Sequence, residues 1–87
     1  MARELVIAPE ALNDLDDAYV WYEEQRVGLG EEFMNCVDAC IQTVVRMPEL
    51  YEVVFNQYRR ALVRRFPYAV FYEFVDPNVT VYAVFHT

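Results

Sequence analysis

Arg64-Arg65-Phe66-Pro67-Tyr68-Ala69-Val70-Phe71-Tyr72, followed after a gap by Val81-Tyr82-Ala83-Val84-Phe85-His86, decides how this chain is read. The residues are mostly β-branched, aromatic or small, and they come in runs of strand length. Ala61 to Phe66, Ala69 to Val75 and Val79 to Phe85 read as three strands. Pro67 divides the first from the second, and Asp76-Pro77-Asn78 has the composition of a turn. Val53-Val54-Phe55 is a shorter strand upstream. Links this short cannot cross over a sheet, so the strands form an antiparallel meander.

Towards the N-terminus the period changes from two to between three and four. Ala11, Leu12, Leu15, Ala18, Tyr19 and Tyr22 recur at helical spacing between Glu10 and Gln25, with Val20 and Trp21 off that stripe. Pro9 suits the first helical position, although Ala8 offers no side-chain acceptor to cap it. Gly28 and Gly30 mark a turn. A second helix from Glu31 to Arg46 carries Phe33, Val37, Cys40, Ile41 and Val44, and Pro48 ends it. Leu5-Val6-Ile7 is a short first strand. The expected fold is α+β: one domain over residues 1–87, with an N-terminal strand and an antiparallel helix hairpin on one face of an antiparallel sheet.

The chain has 87 residues and a net charge of −7. Residues 1–52 hold twelve acids against three arginines, a balance of −9; residues 53–87 hold two acids against four arginines, a balance of +2. The first part repels nucleic acid and the second tolerates it. All seven basic residues are arginines, suited to forked pairing with carboxylate or phosphate. Hydrophobic residues make up 56% of the chain. That exceeds what a small core uses, and it predicts exposed apolar surface that a partner covers: a homodimer, a hetero-oligomer or both. No stretch reads as a signal peptide or membrane span, so the expectation is a cytoplasmic protein with Cys36 and Cys40 reduced.

Three segments resemble the RelE/ParE family of toxins from toxin–antitoxin systems. They are Ala8-Pro9-Glu10-Ala11 with Leu12 and Leu15, Gly28-Leu29-Gly30-Glu31-Glu32-Phe33, and the two stretches quoted at the outset. The resemblance implies a cytoplasmic toxin neutralised by a cognate antitoxin. It also implies one of two modes of action: trapping of DNA gyrase by binding, or ribosome-dependent cleavage of mRNA. The nuclease pattern has lysines on the first long strand of the meander, an arginine after the turn tyrosine and a terminal basic segment. This sequence has no lysine, Ala69 follows Tyr68, and it ends at Thr87. The gyrase-directed pattern has a small or aliphatic residue after that tyrosine and a hydrophobic run before a histidine, as Ala69 and Val84-Phe85-His86 provide. The expectation is therefore a non-enzymatic inhibitor of gyrase, with an mRNA endoribonuclease as the alternative.

Candidate target-binding residues are Arg59, Arg60, Arg64, Arg65, Tyr68 and His86. In a continuous strand Arg60 and Arg64 would share one face and Arg65 the other. The plainer reading of the arginines is pairing with helix carboxylates, and that of His86 is a strand-end residue bonded to backbone. Trp21 and Tyr22 are candidates for antitoxin contact, Trp21 because it leaves the core stripe. An antitoxin helix is expected on apolar surface left open by the hairpin and sheet, and the acidity of the chain calls for a basic or neutral binding segment. Cys36, Cys40 and His86 could suggest zinc, but two thiols on one helix read better as core packing. No metal and no cofactor are expected.

Overall fold

The computed structural model of the chain describes residues 3–87. Strand β1 (Glu4–Ile7) leads into helices α1 (Pro9–Gln25) and α2 (Leu29–Arg46). Strands β2 (Val53–Phe55), β3 (Tyr58–Leu62), β4 (Tyr68–Val75) and β5 (Asn78–His86) follow. They form one sheet in the order β1-β5-β4-β3-β2. β2 to β5 are the expected antiparallel meander. β1 corrects the expectation of a wholly antiparallel sheet: it runs parallel to β5, with Leu5 opposite Val79 and Ile7 opposite Val81. The two helices stand between β1 and the meander, so β1 reaches β5 through a long connection and not a hairpin, as a parallel neighbour must.

Both helices lie on the same side of the sheet, α1 along β5 and α2 across β3 and β4. The α2 stripe is buried as its spacing predicts: Phe33, Val37, Cys40, Ile41 and Val44 all enter the core. On α1 the line Ala11-Leu15-Ala18-Tyr22 faces the sheet. Leu12 and Tyr19, expected on that line, are 49% and 38% exposed. They stand about 100° around the helix from Ala11 and Ala18, beyond the strip that the sheet covers.

The hairpin is tied from within. Gly28 takes a left-handed φ of 90° at the N-cap of α2, which lacks a side-chain cap of its own. The Glu23 carboxylate on α1 accepts the N–H of Gly28 (3.0 Å) and of Gly30 (2.9 Å), satisfying donors at that helix start. The turn thus closes at Gly28, and Gly30 already belongs to α2. Arg3 binds the other end, donating to the Val45 and Arg46 carbonyls at 3.2 and 3.1 Å.

β5 contains an irregularity with a clear cause. Val79, Val81 and Val84 are all buried against the helices. Alternation would turn Val81 and Val84 to opposite faces. The ladder to β4 jumps from Phe71↔Ala83 to Tyr72↔Val81, leaving Tyr82 as the extra residue that restores the phase.

Tyr72 closes the core between β4 and the α2–β2 link. It is fully buried, and its hydroxyl donates to the Pro48 carbonyl at 2.6 Å. Burial above all pushes its pKa up to about 12, so it remains a neutral donor. Tyr72→Phe should cost about 1 kcal/mol by orphaning that carbonyl. The urea midpoint should fall while the m-value stays constant.

Candidate functional site

The helices leave the other side of the sheet open. The pairing register places Tyr58, Arg60 and Leu62 of β3 there, with Ala69, Phe71, Glu73 and Val75 of β4 and Ala83 and Phe85 of β5. The Phe71 and Phe85 rings lie 5.6 Å apart. Leu62 and Phe85 are 61% and 54% exposed. The bulge adds Tyr82, whose hydroxyl donates to Glu73 at 3.1 Å and whose ring meets Tyr58 edge-on. This is an apolar, aromatic platform, and among the described residues Arg60 is the one arginine that its strand position sets on it.

The other three arginines have separate surroundings. Arg59 points to the helix side and donates to the Tyr51 and Glu49 carbonyls. Arg64 and Arg65 are not in a strand, because β3 starts at Tyr58 and stops at Leu62; Arg65 has a left-handed φ of 71°. The shared strand face expected for Arg60 and Arg64 therefore does not form. Arg65 instead pairs with Glu32 at 2.9 Å, and Arg26 reaches the same carboxylate at 3.2 Å. The hydrogen bonds from Arg65 and then Arg26 hold the Glu32 carboxyl below its ordinary range. Arg64 borders a cavity of about 370 Å³ beside Cys36, Cys40 and Tyr51. Burial pushes the Cys40 thiol up to about 11, a core sulfur and a poor nucleophile.

His86 and Tyr68 face each other across β4 and β5, with ring centroids 5.2 Å apart. His86 Nδ1 lies 2.9 Å from the Thr87 carbonyl. Together with Trp21, Tyr22 and Pro67 they line a second cavity of about 370 Å³ between α1 and the end of β5. Trp21 is 54% exposed. Tyr22 is only 8% exposed, packed on Phe33, Phe66 and Tyr68, and reaches the surface only as part of that cavity wall. The four arginines and His86 thus belong to different surroundings, and among the described residues no arginine lines the histidine's cavity. Phe71, Phe85 and Asp14 are surface features that the sequence reading does not single out. The alternation through Ala69, Phe71 and Glu73 opposite Val70 and Tyr72 is the signal that could reveal the first two.

Residues 5–87 match the family described as ParE toxin of type II toxin-antitoxin system, parDE. Among solved structures, a chain of the chromosomal ParDE TA system from P. aeruginosa superposes with a TM-score of 0.74 at 14% identity, covering 99% of this chain and 97% of that one. A chain of the intact E. coli RelBE toxin-antitoxin complex gives 0.69 at 16% identity, with 99% and 98% covered. A chain of the heterotetrameric YoeB-YefM toxin-antitoxin complex from Staphylococcus aureus gives 0.65 at 11%, with both chains covered at 100%. No curated protein matches the chain by sequence. The structural likenesses establish the shared α+β fold, and the family match over nearly the whole length establishes that this chain belongs to the ParE toxins of type II toxin–antitoxin systems.

Proposed function

We propose that this toxin arrests growth in the cytoplasm by binding DNA gyrase rather than by cutting RNA, and that a cognate antitoxin neutralises it by covering its surface. The observation that carries this reading is the outer sheet face, built from Phe71, Phe85, Leu62 and Tyr82 around Arg60, the one arginine set there by its strand among the described residues. Cleavage of RNA needs several cations and an acid–base group gathered around one phosphate. Here Arg59 is engaged by backbone carbonyls, Arg65 by Glu32, and His86 sits in a cavity lined by aromatics. An apolar, aromatic face that carries an arginine is the composition of a protein-binding surface. Arg60, Arg64, Tyr68 and His86 remain the residues proposed to contact the target.

The test is gyrase supercoiling by the purified chain, run beside cell-free translation. The expected result is inhibited supercoiling with accumulated DNA breaks and undisturbed translation. Halted translation with intact supercoiling would overturn the proposal.

A further inference from the structure

β5 has nine residues, and β1 covers only Asn78 to Val81 of its outer edge. Beyond that point, among the described residues, the edge has no strand beside it. The last contact of the covered part is the Ala8 N–H on the Val81 carbonyl at 2.9 Å. The next outward group, the Val84 N–H, is taken by the Asp14 carboxylate at 3.0 Å. The Thr87 N–H turns inward to the Pro67 carbonyl. Alternation therefore directs the Val84 carbonyl and the His86 N–H and carbonyl outward along the open edge. A strand end of this kind is a template for another chain.

α1 forms the wall of this opening. Glu10, Asp14, Asp17, Trp21 and Glu24 recur at spacings of four and three, so they form one stripe, and the Asp14 bond to Val84 shows that the stripe borders the β5 edge. Apart from Asp14 these residues are exposed. Among the described residues none of the four carboxylates has an ion-pair partner. At the far end lies the cavity between Trp21, Tyr68 and His86.

We infer that this groove binds an extended, cationic segment of the antitoxin, which continues the sheet past the end of β1. The inference rests on the toxin–antitoxin reading and specifies where and how the partner docks. Main-chain pairing with Val84 and His86 supplies the strand. An apolar side chain fills the cavity beside Trp21, and lysine or arginine side chains meet Asp17 and Glu24. Asp14 occupies the place of a partner carbonyl until the segment arrives. A second copy of this chain is a poor occupant, because its net charge of −7 meets the same acidic stripe.

Trp21 is the single tryptophan, so its fluorescence reports on the groove directly. The full chain is titrated with a peptide of alternating lysine and valine, with amide hydrogen exchange read in parallel. The expected result is a saturable Trp21 response and slowed exchange at His86. Asp17→Arg combined with Glu24→Arg should weaken binding about tenfold. The same double variant, expressed with the cognate antitoxin, should arrest growth where the wild type is neutralised. An unmoved Trp21 signal, protection at Val53–Phe55 instead, or equal binding by the double variant would overturn the inference. Failure of the toxin reading is separate: the wild-type chain expressed alone would then not arrest growth.

Discussion

Phe33→Ala should destabilise this chain by about 3–5 kcal/mol, the loss that follows when a fully enclosed aromatic ring is cut back to a methyl group. Phe33 is completely buried, and its ring lies 5.1 Å from Tyr22, 5.3 Å from Phe66 and 5.0 Å from Tyr68. The substitution removes a large apolar side chain and also the edge-to-face contacts of that cluster. A chain of this size has roughly 0.05–0.15 kcal/mol of stability per residue, so the loss is a large share of the whole. At about 4–8 °C per kcal/mol, the melting temperature should fall by more than about 12 °C. Thermal unfolding followed by far-UV circular dichroism measures it. A fall of less than about 5 °C would show that the aromatic cluster does not hold the α2 helix to the β3–β4 loop.

Gly30→Val is the second large effect, at about 2–3 kcal/mol. A Cβ at Gly30 meets the Tyr19 carbonyl oxygen at 2.8 Å, a Tyr19 ring carbon at 2.9 Å and Glu23 Oε1 at 3.0 Å. In an exposed helix, replacing glycine with alanine would gain up to about 1 kcal/mol. Here the nearest obstacle is backbone, and the neighbouring carboxylate is the one that caps α2. Valine therefore pushes the helices apart and disturbs the cap together. Gly28→Ala is the informative contrast. Its Cβ would meet open space, and only the left-handed backbone opposes it, at about 1 kcal/mol. Urea unfolding of the two variants should rank Gly30→Val well below Gly28→Ala; the reverse order would place the close approach of the helices elsewhere.

Most of the elements are legible in the sequence because their signals are local. The α2 stripe from Phe33 to Val44, the strand at Val53–Phe55, the break at Pro67 and the turn at Asp76-Pro77 need only period and punctuation. The strand expected from Ala61 to Phe66 lies instead at Tyr58–Leu62, and Asn56 is the cause. Asn56 takes a left-handed φ of 51°, and with Gln57 it returns the chain at once, starting β3 at Tyr58. That shift decides the arginines: Arg59 and Arg60 fall on opposite faces of a strand, and Arg64 and Arg65 fall in a loop. The parallel pairing of β1 has no local signal, since its partner β5 is the last strand and lies beyond both helices and the rest of the meander. The Tyr82 bulge does have one, in the change of phase from Val79 and Val81 to Val84. Trp21 lies off the core stripe, as its spacing predicts. Asp14, two turns earlier on the same side of the helix, looks in the sequence like any solvated acid, and only the tertiary structure reveals that it reaches the Val84 backbone.

The parallel pairing of β1 with β5 also bears on the order in which the molecule is made. Glu4 pairs beside Asn78, so the strand synthesised first finds its neighbour only after every other element has been made. The helix hairpin and the β2–β4 meander can form from nearby contacts, while β1 waits. Closing so long a loop late in folding is slow. Until β1 docks, the β5 edge from Asn78 to Val81 is as bare as the stretch beyond it, and the edge of the sheet is longer by four residues than in the finished fold.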